Sequence, residues 1–182
     1  TGIAIDPHFD VLRTLSDDEV PATIGKLLSE PEAQFMVATT QSDEMVKAFV
    51  RLARSWGGAS ARVRRFDPST LTPSANADIP TWWLGGLENS RSAAALRALQ
   101  AQGMGTSVGD GIALALPGTQ ARPHVWLTAK SVHQVASMAR AIPHYGRRSF
   151  VVFEPGARAG RRKAGQWTTQ PRSMRKLLNG VQ

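Results

Sequence analysis

The chain has 182 residues, 42% of them apolar and 20% charged, with a formal charge of +8. Composition this close to the globular average excludes wholesale disorder and collagen-like or coiled-coil architecture, and a chain of this length buries about 70% of its unfolded surface. The absence of cysteine excludes disulfides, a thiol nucleophile and thiolate metal sites, and apolar runs as short as Ile112 to Leu116 exclude a helical membrane span.

Charge is distributed unevenly. Residues 1–146 hold 13 Lys/Arg against 13 Asp/Glu, whereas residues 147–182 hold 9 basic residues against Glu154 alone. A basic end of this kind suits a solvated tail, or contact with nucleic acid or an anionic surface through counterion release. Trp167 stands alone there, so no aromatic spacing suited to base stacking accompanies the charge. The chain begins at Thr1 without a basic and apolar leader, which reads as a mature product or, preferably, a piece of a longer protein.

Residues 1–31 read as an N-terminal arm with a helix. Ser16 followed by Asp17, Asp18 and Glu19 is a helix-start signal, because an oxygen-bearing cap and early acids satisfy free amides and the dipole. The helix is expected over residues 17–29, with Pro21 in its first turn and Ile24, Leu27 and Leu28 as the buried stripe. Gln34 to Thr39 is a near-continuous apolar run, predicting a central strand covered on both faces. Ser42-Asp43-Glu44 then opens a helix. Its apolar positions, Met45, Val46, Phe49, Val50, Leu52, Ala53 and Trp56, recur at threes and fours until Gly57-Gly58.

Ala61 to Phe66 predicts a strand with alternating arginines, and residues 67–80 a loop rich in Pro, Ser, Asn and Asp. Thr81 to Gly85 predicts another strand. Trp82 and Trp83 there point to opposite faces, at least one into the core. Arg91 to Gln102 predicts a helix burying Ala94, Ala95, Leu96 and Leu99. Short strands over 112–116 and 124–128, separated by Pro117-Gly118 and Arg122-Pro123, predict a hairpin. Ser131 caps a last core helix carrying Val132, Val135, Ala136, Ala139 and Ile142, stopped by Pro143, and Ser149 to Phe153 predicts the last strand. Strands and helices alternating in this way imply an α/β fold: three layers, a mostly parallel sheet with an antiparallel hairpin, an N-terminal helical arm and a basic C-terminal tail. The expected boundaries are 1–31 for the arm, 32–155 for the core and 156–182 for the tail, with room in the tail for at most a short helix near Ser173 to Leu178.

The chemistry-bearing residues are sparse. His8, His124, His133 and His144 form no familiar zinc-ligand spacing; His133 reads as an exposed helix position, and His144 as a turn residue held by hydrogen bonds. Gly105-Thr106-Ser107-Val108-Gly109 matches a nucleophile-elbow pattern. The elbow needs a strand before the serine and a helix after it, and the surrounding pattern is the reverse, so a serine hydrolase using Ser107 is the least favoured reading. No Gly-Lys-Ser/Thr phosphate loop occurs.

Three stretches carry a family resemblance. Ile5-Asp-Pro-His-Phe-Asp-Val-Leu-Arg-Thr-Leu15 with Glu19-Val-Pro21, Trp83-Leu-Gly-Gly-Leu-Glu-Asn89, and Pro143-His-Tyr-Gly-Arg-Arg-Ser-Phe-Val-Val-Phe153 with Gly165-Gln166-Trp167 span nearly the full chain. They resemble the C-terminal region of a bacterial group within the gluzincin zinc aminopeptidases, the membrane-alanyl-aminopeptidase-like family. The resemblance implies a non-catalytic accessory domain of a metallopeptidase. Its partners would be the catalytic domain of the parent chain, which it packs against, or a second copy in a homodimer. Trp83, Glu88, Asn89, His144 and Tyr145 would be structural or interface residues. The His-Glu-x-x-His helix that holds zinc in such enzymes is not in this chain, so zinc is expected in the catalytic part and no cofactor here. A secreted, periplasmic or envelope-associated parent is also implied. The alternative, binding of nucleic acid or an anionic surface, would use Arg158, Arg161, Arg162 and Lys163.

Overall fold

The computed structural model describes residues 20–69, 79–86, 96, 97, 99, 100, 110–116, 122–154 and 162–167. Seven strands occur there in chain order: β1 (Gln34–Ala38), β2 (Arg62–Phe66), β3 (Thr81–Leu84), β4 (Gly111–Ala115), β5 (His124–Ala129), β6 (Phe150–Phe153) and β7 (Arg162–Gly165). They form one mixed sheet in the order β2-β1-β3-β5-β4-β6-β7. The first four in that order are parallel, and β4, β6 and β7 continue antiparallel. The fold is therefore α/β with a largely parallel core and an antiparallel edge, as the alternation of elements predicts.

All five residues of β1 are buried, as expected for a strand paired on both sides and covered above and below. The expected hairpin is present as β4 and β5, but β6 pairs with the other side of β4, so the hairpin lies inside the sheet. β2 is the outer strand at one end, and its exposed Arg62, Arg64 and Arg65 suit an edge, where charge discourages pairing with other chains.

Three helices whose bounds lie among the described residues accompany the sheet: α1 (Ile24–Leu28), α2 (Asp43–Gly57) and α3 (Val132–Ala141). The Ser42 side chain accepts a hydrogen bond from the Met45 amide at 3.4 Å, and Asp43 and Glu44 complement the dipole of α2. Its buried stripe is Met45, Val46, Ala48, Phe49, Leu52 and Ala53. Ser131 likewise accepts from the Gln134 amide at 3.2 Å and starts α3. Pro143 cannot supply the next helical amide, and the chain tightens into a 3₁₀ turn over Ile142–Tyr145. Leu96, Arg97, Leu99 and Gln100 are helical, with Leu99 buried, within the span expected to be a helix.

Strand register sorts the core onto two faces. Phe35, Trp82, Val125 and Ala113 share one face, and Met36, Trp83, Trp126 and Leu114 the other. Trp56 of α2 packs against Trp82 at 4.7 Å, and its indole N–H donates to the Ala139 carbonyl of α3 at 3.0 Å, so both helices lie over the first face. Both adjoining tryptophans, Trp82 and Trp83, are core residues at 1% exposure.

Two findings differ from expectation. Residues 20–23 are not helical: Thr23 is extended, and α1 starts at Ile24 rather than in the acidic run, since the residue before a proline is pushed out of helical geometry. The acidic run at 17–19 lies outside the described residues. The second difference is β7, which draws residues placed with the basic tail into the sheet. Trp167 fastens this segment: its indole N–H donates to the Ala115 carbonyl at 2.6 Å, its amide donates to the Ser149 hydroxyl at 3.0 Å, and its ring meets Phe150 at 5.2 Å.

Candidate functional site

The residues singled out by the motifs are distributed through the fold. Trp83 lies in the sheet core, stacked on Trp126 with ring centroids 5.6 Å apart and set edge-on to Phe66 at 5.2 Å. Its indole N–H donates to Nδ1 of His124 at 3.2 Å. An indole N–H only donates, so this Nδ1 carries no proton and the ring is the Nε2–H tautomer. His124 is buried at 2% exposure, a structural role that sequence reasoning missed, because the pairing depends on the β3–β5 register. The other buried polar side chains nearby, Gln34 and Thr81, bond each other at 3.0 Å across β1 and β3.

His144 and Tyr145 sit far along the chain on the 3₁₀ turn, and no contact joins either to Trp83 among the described residues. The His144 imidazole is exposed and makes no hydrogen bond to a described residue, so it does not hold the turn as expected. His133 is exposed, as expected for its helix position. Glu88, Asn89, Ser107 with its elbow pattern, Arg158 and Arg161 lie outside the described residues. Of the basic residues proposed to contact anions, Arg162 is set over the rings of Phe153 and Tyr145, 5.3 and 5.9 Å from their centroids. Lys163 pairs with Glu154 at 2.7 Å. Both are thus engaged within the fold.

Two concavities are lined by described residues. The first is a groove of about 520 Å³ on the outer side of α2 and α3, floored by Leu52, Trp56, Val132, Val135 and Ala139 and closed by Pro143. Arg51 and Arg140 flank it from opposite helices, both exposed, and Lys47 and Arg54 extend the positive row along α2. An apolar floor between cationic rims is suited to a partner segment with apolar anchors and carboxylates around them.

The second is a cavity of about 340 Å³ at the N-terminal end of the parallel strands, beneath α1. Its walls include Phe35, Trp56 and Trp82, with Glu30, Glu32 and Arg62 among the polar groups. Trp56 belongs to both concavities because it lies at the C-terminal end of α2, between the sheet and α3.

No group of three His, Asp or Glu among the described residues is arranged to hold a metal ion. No described helix is long and apolar enough to cross a membrane. No family model, curated protein or solved structure matches the chain.

Proposed function

We propose that this chain is a non-catalytic accessory domain of a zinc aminopeptidase-like protein, and that it packs on the catalytic part through the groove between α2 and α3. The observation that carries the reading is the use made of the resembling residues: where described, they build core, turn and sheet contacts. Trp83 bonds His124, Pro143 tightens the end of α3, and Trp167 ties β7 to β4. A motif spent on packing belongs to a scaffold, and the groove gives that scaffold a surface with anchor space and charge. The contact would be made by an acidic, apolar segment of the catalytic part, which carries the zinc; a homodimer through the same face is the other arrangement this reading includes.

The same reading includes a three-layer arrangement, in which the helical residues around Leu99 cover the sheet face opposite α2 and α3, with an N-terminal arm and a basic tail outside the layers. Binding of nucleic acid or an anionic surface is the less favoured reading, because Arg162 and Lys163 are already stacked or paired. The test is a peptidase assay on the chain as it stands. Aminoacyl-p-nitroanilide should not be turned over with zinc present, and chelator-sensitive turnover abolished by no more than purification of the chain away from contaminants would leave the proposal standing. Turnover that follows the purified chain and is lost with the chelator would overturn it.

A further inference from the structure

We infer that the groove between α2 and α3 is covered, in the chain alone, by the chain's own residues 1–19, which vacate it when the catalytic part docks. The inference rests on the reading of this groove as a docking face. Five of the chain's 14 carboxylates, Asp6, Asp10, Asp17, Asp18 and Glu19, fall in this segment against Arg13 alone, a net charge of −4 in a chain whose formal charge is +8. Phe9, Val11, Leu12 and Leu15 are interleaved with the acids. Apolar anchors among carboxylates are what an apolar floor between cationic rims selects.

The groove offers the complementary charge. Lys47, Arg51 and Arg54 recur at helical spacing along the exposed side of α2, and Arg140 stands across from them on α3; none of the four is ion-paired among the described residues. The acids of α2, Asp43 and Glu44, are confined to its first turn. The segment also enters the fold at the Pro143 end of the groove. The Ile24 amide donates to the Arg148 carbonyl at 2.9 Å and the Gly25 amide to the Gly146 carbonyl at 2.8 Å, which fixes α1 beside the 3₁₀ turn whose Pro143 closes the groove. Val20, four residues before Ile24, is exposed. Residues 1–19 reach up to roughly 60 Å when extended, whereas α2, at 15 residues, is about 22 Å long, so the segment can lie along the whole groove. A tether this close gives the segment an effective concentration of about millimolar, which favours it over a second copy of the chain at micromolar concentration.

Photo-crosslinking of the full chain tests this, with Phe9 replaced by p-benzoylphenylalanine and the chain kept at about 1 μM, far below the effective concentration of the tethered segment. Adducts mapped by mass spectrometry should be intramolecular and fall between Lys47 and Trp56 and between Val132 and Pro143. Arg51→Glu combined with Arg140→Glu, both exposed, should cut their yield about fivefold, with circular dichroism confirming the fold. Adding Asp17→Arg and Asp18→Arg to that chain should restore the yield, which a merely structural effect of the glutamates would not allow. No adduct on either helix, adducts joining two chains, a yield unaffected by the charge reversal, or no recovery after the swap would overturn the inference. These outcomes concern the chain alone; docking of the catalytic part is read separately, by hydrogen exchange on the mixture, so either can fail without the other.

Discussion

Trp83 and Trp126 offer an internal comparison. The two rings stack at 5.6 Å with planes 11° apart, and both are almost fully buried, at 1% and 0% exposure. Trp83 gives its indole N–H to His124, whereas the buried Nε1 of Trp126 has no hydrogen-bond partner among the described residues. Substituting either by phenylalanine removes a similar ring area from the same layer, so the packing losses largely cancel. Trp83→Phe also leaves the buried Nδ1 of His124 without its donor, a loss of about 1–3 kcal/mol. Trp126→Phe instead removes a buried donor that lacked a partner, which recovers about 1–3 kcal/mol of desolvation. Trp83→Phe should therefore be the more destabilising by about 2–6 kcal/mol. With a urea slope of about 2 kcal/mol/M, that is a difference in midpoint of roughly 1–3 M. Equilibrium urea unfolding followed by circular dichroism, with unchanged slopes, measures it. Equal losses, or a larger loss at Trp126→Phe, would refute the assignment of the Trp83–His124 bond as a stabilising contact.

Four further outcomes follow from local geometry. Gly58 has φ +65° and ψ −160°, a region essentially restricted to glycine, with open space at its missing side chain, so Gly58→Ala should cost about 1–3 kcal/mol through backbone strain alone. Gly86 has φ +62° and a side-chain carbon there would lie 2.6 Å from the Pro68 ring, so Gly86→Ala should cost about 1–3 kcal/mol more than Gly58→Ala by thermal or urea unfolding. Ser42→Ala and Ser131→Ala should each cost about 1 kcal/mol in the same assay, by removing the oxygens that accept from Met45 and Gln134. The Asp67 carboxyl is held below its usual 3.8, first by the Ser69 hydroxyl and then by the Ser69 amide. Its contribution is present above pH 3.8 and is lost as pH falls through the lower folded-state value; Asp67→Asn should flatten that part of the urea midpoint against pH, between pH 5 and 2.

Local signals carried much of the architecture. Ser42 and Ser131 announced α2 and α3 because a cap acts within four residues, and the runs at 34–39 and 124–128 announced strands because burial on both faces demands continuous apolar sequence. β7 was not legible: Arg-Lys-Ala-Gly has no apolar pattern, and it is a strand because β6 offers a free edge and Trp167 anchors the chain beyond it. The position of β4 between β5 and β6 was equally hidden, since pairing partners far apart in sequence leave no local trace. The two concavities share this origin. Glu30, Trp56 and Trp82 meet only because α1, α2 and β3 converge at one end of the sheet, and Arg51 and Arg140 face each other only because Trp56 bonds α2 to α3.

The account stands or falls on whether the α2–α3 groove receives the zinc-bearing part of a peptidase. Hydrogen–deuterium exchange of the full chain, alone and with the separately produced peptidase part from the same gene, is the direct measurement. The account predicts slowed exchange in α2 and α3 around Arg51, Trp56 and Arg140, abolished when Arg51→Glu and Arg140→Glu are combined. Unchanged exchange across both helices, or protection confined to β2 and β7, would contradict it.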